Sequence, residues 1–119
     1  MDSHLGEPAF DKKRLFSDQR YPNVVVSKKG TVIAVWGNSG VAIRRSEDGG
    51  KSWGEPINVS EKGYNGGGAI VDNGSGEILL FVEDRQPPAP LTVYRSKDDG
   101  LNWKPQKTVI EKDLNGNNP

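Results

Sequence analysis

The chain contains no cysteine and a single histidine among its 119 residues. The absence of cysteine excludes a disulfide framework and a thiolate metal site, and it leaves the cellular compartment open. One histidine, His4, is too few for the usual zinc sites. The sequence therefore predicts neither a bound metal nor a cofactor.

The sequence also lacks an excess of charge of one sign, and it lacks long apolar runs. The 16 Lys and Arg residues balance the 16 Asp and Glu residues, so no basic surface predicts a nucleic-acid partner. No apolar run approaches the length of a membrane span, and the polar segment after Met1 lacks the apolar stretch of an export signal. We expect neither nucleic acid nor a membrane as a partner.

Helical periodicity is a third absence. No segment repeats its apolar residues with the period of about 3.6 that marks an amphipathic helix. Apolar residues make up only 33% of the chain, while glycine (15) and proline (8) are frequent. This composition favours short strands joined by many turns, and we predict an all-β fold.

What the chain does contain is a repeated motif, Ser-x-Asp-x-Gly-x-x-Trp, with a period of about 50 residues. The aspartate can accept hydrogen bonds from nearby backbone N–H groups, the glycine can adopt positive φ, and the tryptophan offers a large apolar plate. These are structural roles, and we expect the motif to close a tight turn. The two copies are Ser46, Asp48, Gly50 and Trp53, and Ser96, Asp98, Gly100 and Trp103.

Whole units repeat around the two motifs. Strands are predicted over residues 24–26, 31–36, 41–45 and 54–59, and again over 68–71, 77–82, 91–95 and 104–110. Each motif then lies between the third and fourth strands of its unit. A period near 50 is typical of a β-propeller blade, so the sequence predicts two four-stranded antiparallel blades.

The units define the predicted domain boundaries. Residues 1–18 form a lead-in with one strand near 13–16, residues 19–63 the first blade, residues 64–112 the second, and residues 113–119 a linker. Propellers have about four to eight blades, because each blade buries its faces against its neighbours. We therefore expect an N-terminal part of a longer propeller, whose partners are the remaining blades; self-association of short chains is the alternative.

Antiparallel connectivity assigns the loops to two ends of the blades. The repeated motifs connect third to fourth strands and belong to the lower end. The upper end, where propellers generally bind ligands, receives the residues before each first strand and the connections between second and third strands. These upper segments are residues 20–21, 37–40, 64–67 and 83–90.

The repeated motif resembles the Asp box of sialidases and related β-propeller proteins. Sialidases begin their first blade with Arg-Ile-Pro and an apolar strand; this chain has Arg20-Tyr21-Pro22 before residues 24–26. The resemblance implies a six-bladed sialidase-like propeller in which Arg20 is the first of three arginines that clamp the carboxylate of sialic acid. A guanidinium suits that role, since it offers a planar fork and stays charged.

One departure from the family concerns the catalytic acid. Sialidases carry an aspartate in the upper connection after the second strand of the first blade, but here that connection is Gly37-Asn38-Ser39-Gly40. Retaining glycosidases normally need such a proton donor. Asp84 is the candidate substitute, although the neighbouring Arg85 would hold it ionised, and Glu83 is the other carboxylate beside it. The family's remaining arginines, tyrosine nucleophile and glutamate are absent from this stretch.

Three functions follow as hypotheses. The first is exo-hydrolysis of terminal sialic acid, or of a related acidic sugar, by the full-length parent protein, with this fragment alone inactive. The second is a non-catalytic propeller that binds glycans or proteins, and the third is a purely structural module. For the first hypothesis the partner is a sialoglycan or other acidic carbohydrate, and the expected substrate-binding residues are Tyr21, Asn38, Asn65 and Arg85.

Overall fold

A computed structural model describes residues 10–86, 89–107, 110 and 112–117. These residues form eight β-strands and no helix, so the predicted all-β class is confirmed. No helix of the described residues is long and apolar enough to cross a membrane. The strands are β1 (Asn23–Val26), β2 (Val32–Trp36), β3 (Val41–Ser46), β4 (Ile57–Ser60), β5 (Tyr64–Val71), β6 (Ile78–Glu83), β7 (Leu91–Ser96) and β8 (Lys104–Pro105).

The strands form two four-stranded sheets in simple chain order, β1-β2-β3-β4 and β5-β6-β7-β8. Every neighbouring pair is antiparallel. This is the predicted pair of four-stranded antiparallel units, and the repeated motifs fall between β3 and β4 and between β7 and β8. The two sheets do not close into a ring with each other.

The hydrophobic core lies between the two sheets. Side chains alternate between the faces of a strand, so Ile33 and Val35 of β2 point to one side, and Ile78, Leu80 and Val82 of β6 share a face in the same way. All five are buried in one cluster that spans both sheets. Each such side chain contributes about 1.5–3 kcal/mol by its removal from water, and the sheets are held face to face as a result.

The outer faces of the sheets carry apolar residues in contact with water. Val24 of β1 and Ile70 of β5 are 59% and 52% exposed. Part of the outer face of the first sheet is covered by the lead-in, where the ring of Phe16 stacks on Trp36 with centroids 4.5 Å apart. The described residues therefore cover the outer faces of the two sheets only in part.

The strand predicted near residues 13–16 is not formed. This segment has no strand hydrogen bonding; its backbone is held instead by a side chain, since Arg44 Nη1 donates to the carbonyl oxygen of Leu15 at 2.9 Å. Leu15 and Phe16 are both half-buried although they are neighbours in sequence. A strand would turn neighbouring side chains to opposite faces, so side-chain packing decided the conformation here.

The fourth strand of each sheet is shorter than predicted. β8 comprises Lys104–Pro105 and not residues 104–110, of which 108–109 lie outside the described residues; one further bond joins Gln106 N to Val93 O at 2.7 Å. β4 begins at Ile57 and not at residue 54. Proline lacks an N–H and cannot donate to a ladder, and Pro56 directly precedes β4.

The first strand of the second sheet is longer than predicted. β5 begins at Tyr64, because the glycines of its first half let the backbone pass under two side chains of β6. A β-carbon at Gly67 would lie 2.4 Å from Cβ of Phe81, and one at Gly66 would lie 2.2 Å from the carboxyl carbon of Glu83. The pairing shifts register here, as in a β-bulge. Residues 64–67 are therefore strand and not a loop.

A buried ion pair joins the second motif to the first sheet. Asp99 Oδ2 accepts hydrogen bonds from Arg45 Nη2 at 2.8 Å and from Thr31 Oγ1 at 2.5 Å, and its carbonyl oxygen accepts one from Arg45 Nε at 2.8 Å. Burial alone would raise the pKa of Asp99, but hydrogen bonds from Ser27, Thr31 and Arg45, together with the charge of Arg45, lower it below its ordinary value. The side chains of Arg45 and Asp99 are 12% and 9% exposed, so water screens this contact weakly.

Replacement of the Asp99 carboxylate by an amide tests this contact. Asp99 has φ 62, and asparagine tolerates such a backbone, so Asp99→Asn removes the charge without adding strain. We expect the free energy of unfolding to fall by about 2 kcal/mol, as for a lost charged hydrogen bond, measured by urea denaturation. Asp18→Asn is the matched control, because Asp18 has φ 56 and is exposed; equal losses in both variants would contradict the prediction.

The lowered pKa of Asp99 predicts a pH dependence of the same contact. A carboxylate with a lower pKa in the folded state stabilises the protein above its unfolded pKa, about 3.9 for aspartate, and this stabilisation is lost as the pH falls through the folded pKa. We expect the difference in unfolding free energy between wild type and Asp99→Asn to be constant above about pH 5 and to shrink below about pH 4. Denaturation curves across this range measure it, and a difference that grows in acid would refute the assignment.

Candidate functional site

The lower end of the first sheet is a turn closed by its own side chains. Ser46 Oγ donates to Asp48 Oδ1 at 2.8 Å and accepts from Gly50 N at 2.8 Å. Ser52 N donates to Asp48 Oδ1 at 2.8 Å, its hydroxyl donates to Asp48 Oδ2, and Trp53 Nε1 donates to the carbonyl oxygen of Gly50 at 3.1 Å. Every side chain of the motif therefore takes part in the turn.

The second copy repeats this geometry. Ser96 Oγ donates to Asp98 Oδ1 at 2.9 Å and accepts from Gly100 N at 2.8 Å. Asn102 takes the place of the second serine, with N and Nδ2 donating to the two oxygens of Asp98 at 2.8 and 2.6 Å. Trp103 Nε1 donates to the carbonyl oxygen of Gly100 at 2.8 Å. The glycines at this position have φ 92 and 86 in the two copies.

These carboxylates are poor candidates for proton transfer. The side chain and backbone of Ser52 and the hydroxyl of Ser46 lower the pKa of Asp48 far below its ordinary value. Burial would raise the pKa of Asp98, but hydrogen bonds from Asn102 and Ser96 outweigh burial and lower it. A group held ionised by hydrogen bonds neither releases nor takes up a proton near neutral pH, and the lower end is a scaffold.

The upper end gathers three segments into one hydrogen-bonded group, which we call the upper cluster: residues 20–21, 37–40 and 63–65. Gly37 N donates to Arg20 O at 3.0 Å, and Asn65 N donates to Gly37 O at 2.9 Å. The side chain of Asn65 donates from Nδ2 to Tyr21 O at 2.7 Å. The backbones of Arg20 and Tyr21 are thus fixed by both sheets, while the side chain of Arg20 is exposed.

Tyr21 has an unusual backbone and an exposed ring. Its φ is 59, in the left-handed region that few bulky residues adopt, and it is 40% exposed. Its ring meets that of Tyr64 edge to face, with centroids 6.0 Å apart. Strained residues of this kind concentrate at ligand sites, which makes Tyr21 a candidate on structural grounds as well as by its place beside Arg20.

Asn38 and Asn65 lie at different depths. Asn38 is half-buried in the short β2–β3 connection. Asn65 is only 4% exposed, and its Oδ1 accepts no hydrogen bond from any residue that the structure describes. Asn65 holds the backbone of Tyr21 from the interior and does not face the solvent. Its place beside a run of glycines in the sequence did not predict this burial.

The β2–β3 connection leaves no space for a side chain at its start. A β-carbon at Gly37 would lie 2.1 Å from the carbonyl oxygen of Gly40, so only glycine fits. An open hollow of about 360 Å³ adjoins the connection, and its lining includes the polar side chains of Gln19, Ser39 and Asn58. The hollow offers amide and hydroxyl groups of the kind that bind sugar hydroxyls.

Asp84 and Arg85 lie in the β6–β7 connection, also at the upper end. Asp84 Oδ1 accepts from Thr92 Oγ1 at 2.7 Å, and Asp84 N donates to Pro90 O at 3.0 Å. Both residues are exposed. The hydrogen bonds of Asp84 stay within its own sheet, and no hydrogen bond among the described residues links it to the upper cluster. Glu83, one residue earlier, lies across the backbone of Gly66.

Two residues matter more than the sequence suggested. Asn23 Oδ1 accepts from Ala69 N at 2.9 Å, and so it ties the strand after Arg20 to the first strand of the other sheet. Ser46, whose counterpart is Ser96, is 1% exposed and holds its motif together. The signal for the serines was their recurrence in both motifs; nothing local distinguishes Asn23.

No group of three or more His, Cys, Asp or Glu within the described ranges could hold a metal ion.

Comparison with known proteins gives a family and a fold. A family model described as a BNR repeat-like domain matches residues 7–117. Among solved structures, a protein of unknown function from Dyadobacter fermentans superposes with a TM-score of 0.63 and 24% sequence identity. The match covers 91% of this chain and 41% of that one, so this chain spans about two-fifths of that protein. At this identity the likeness shows the fold alone.

The buried serine of the motif supplies a test of the scaffold role. Ser46→Ala removes a buried hydroxyl and leaves the half-buried Gly50 N without its acceptor, and we expect a loss of about 1–3 kcal/mol in unfolding free energy, measured by urea denaturation. Ser52→Ala is the control, since it removes a hydroxyl donor from the same Asp48 at an exposed position and should cost clearly less. A larger loss for Ser52→Ala would contradict the scaffold role of the buried serine.

Proposed function

The chain belongs to the family of BNR repeat-like domains, and from that premise we propose that its upper cluster binds an acidic sugar, sialic acid or a close relative, as part of a sialidase-like glycoside hydrolase. The observation that carries the proposal is the exposed guanidinium of Arg20 on a backbone fixed at the upper end. The family assignment supports the proposed reaction class, and the exposed Arg20 supports an acidic group in the ligand.

Arg20 fits carboxylate recognition on two counts. A guanidinium can donate two parallel hydrogen bonds to one carboxylate, and it stays charged at any working pH. Preorganisation adds to this, because the backbone of Arg20 is held by Gly37 and that of Tyr21 by Asn65. A fixed backbone loses less entropy when a ligand binds.

Hydrolysis would need a proton donor, and none of the residues of the upper cluster itself carries a carboxylate. The β2–β3 connection holds no carboxylate, and Gly37 has no space for a side chain. Asp84 accepts a hydrogen bond from Thr92 of its own sheet, and no hydrogen bond among the described residues links it to the upper cluster. In this proposal the chain contributes ligand binding, and the acid and nucleophile come from other parts of a longer propeller.

The exposed outer faces of the sheets are compatible with such a propeller. Val24 and Ile70 remain largely exposed on opposite sides of the two-sheet unit, and blades bury these faces against one another. The proposal assigns the remaining blades of the same protein as the partners that cover these outer faces. Self-association of this chain is the alternative occupant.

A second function follows from the missing carboxylate. If no residue supplies the proton, the upper cluster binds a glycan or protein without cleaving it. The absence of an acid from residues 37–40 is the observation that favours this non-catalytic reading. Turnover of a fluorogenic sialoside by the full-length protein separates the two, since release of the fluorophore excludes the non-catalytic function.

Substitution of Arg20 tests the shared binding step. We expect Arg20→Ala to raise the dissociation constant for the methyl α-glycoside of sialic acid by about 10-fold or more, the loss of a charge-assisted hydrogen bond, measured by isothermal titration. Arg14→Ala is the matched control, because Arg14 is also exposed but lies in the lead-in. Unchanged affinity in Arg20→Ala would refute the clamp role.

A further inference from the structure

Tyr21 stands where the sialidase motif has isoleucine, and its structure sets it apart from a core residue. Tyr21 is 40% exposed, and it is not a member of the buried cluster between the sheets. Its φ of 59 costs free energy for a residue with a bulky side chain. A strained backbone together with a partly exposed ring makes Tyr21 a candidate for contact with a ligand.

We propose that Tyr21 and Tyr64 form an aromatic platform on which the ring of the bound sugar stacks, and that Tyr21 is a specificity-determining residue. The inference rests on the proposed function, since it takes the acidic sugar bound by Arg20 as the ligand. It adds the apolar face of that sugar as a second recognised feature.

The edge-to-face geometry leaves aromatic surface free. The two ring centroids are 6.0 Å apart and the planes meet at 74°. In such a pair one ring presents its edge to one face of the other, so at least one face of each ring has no contact with its partner. The exposure of Tyr21 shows that water reaches its ring. A ligand can therefore approach this surface without separating the pair.

The chemistry of a sugar ring matches such a surface. An aromatic face carries partial negative charge, and the axial C–H groups of a pyranose carry partial positive charge and form an apolar patch. Weak C–H contacts to an aromatic face add to the burial of apolar area. The carboxylate of the same sugar would bind Arg20, the preceding residue, which limits the platform to sugars that bear both features.

Asn65 is the positioning residue of this platform. It donates from Nδ2 to the carbonyl oxygen of Tyr21 at 2.7 Å and is 4% exposed. Its neighbouring residue Tyr64 supplies the second ring, so one short segment of β5 holds both the backbone and the side chain of Tyr21. Oδ1 of Asn65 accepts no hydrogen bond from the described residues. This distinguishes its amide from that of a core asparagine whose polar atoms all have hydrogen-bond partners.

Nuclear magnetic resonance of the ligand tests the platform directly. The probes are the methyl α-glycoside of sialic acid and, as a neutral sugar, methyl β-galactoside, each titrated into the full chain. Stacking on an aromatic ring shifts ligand ring protons upfield, a signal that a purely structural tyrosine does not produce. We expect this shift with the acidic probe in the wild type, and its preservation in Tyr21→Phe, which keeps the ring.

Tyr21→Asn removes the ring but retains a residue that tolerates the left-handed backbone. We expect it to abolish the upfield shift and to raise the dissociation constant by about 5-fold or more. The shift in the wild type also tests the platform by itself, should Tyr21→Asn fail to fold. Amide spectra of each variant report folding.

The outcomes separate this inference from the proposed function. If the acidic probe binds, Arg20→Ala weakens it, and there is no upfield shift and no effect of Tyr21→Asn, the platform is wrong and the carboxylate clamp stands. If both probes bind equally with a shift that Tyr21→Asn abolishes, the platform stands and the acidic-sugar function is wrong. If neither probe binds, both are overturned.

Discussion

Two apolar sheet faces exclude water here only because they face each other. Ile33 of β2 and Leu80 of β6 belong to one buried cluster, and a single small sheet would leave both faces wet. Since side chains alternate along a strand, this contact decides which residues of every strand point inward. It also brings the turn of the second sheet against β3 of the first, where Asp99 binds Arg45.

The two ends of the sheets use their polar groups differently. At the lower end the carboxylates of Asp48 and Asp98 accept hydrogen bonds on both oxygens. Both side chains are therefore engaged in closing their own turns. At the upper end the hydrogen bonds join backbones, and the side chains of Arg20 and Tyr21 stay exposed. Rigid turns at one end and available side chains at the other are the usual division between scaffold and binding loops.

The proposed binding and the proposed cleavage place different demands on the upper end. Gly37 has no space for a side chain beside Gly40, and the short connection that contains both has no acid. Asp84, the nearest candidate by topology, makes its hydrogen bonds within its own sheet. An arginine clamp needs only a fixed backbone and a charged side chain, whereas proton transfer needs a carboxyl group placed within hydrogen-bonding reach of the scissile bond. Among the described residues, Arg20 has an exposed side chain on a hydrogen-bonded backbone, which corresponds to the first requirement.

Local sequence patterns were enough to predict the turns and the strands. The repeated motif marked two turns, and apolar alternation marked eight strands in two antiparallel units, because turn residues and a period of two act over a few neighbours. The contacts between distant parts of the chain could not be predicted in this way. Arg45 and Asp99 lie 54 residues apart, and no local pattern connects them. Asn65 became a buried support of Tyr21 because β5 starts earlier than its glycines suggested. Such contacts depend on how the sheets face each other, and this is a property of the whole chain.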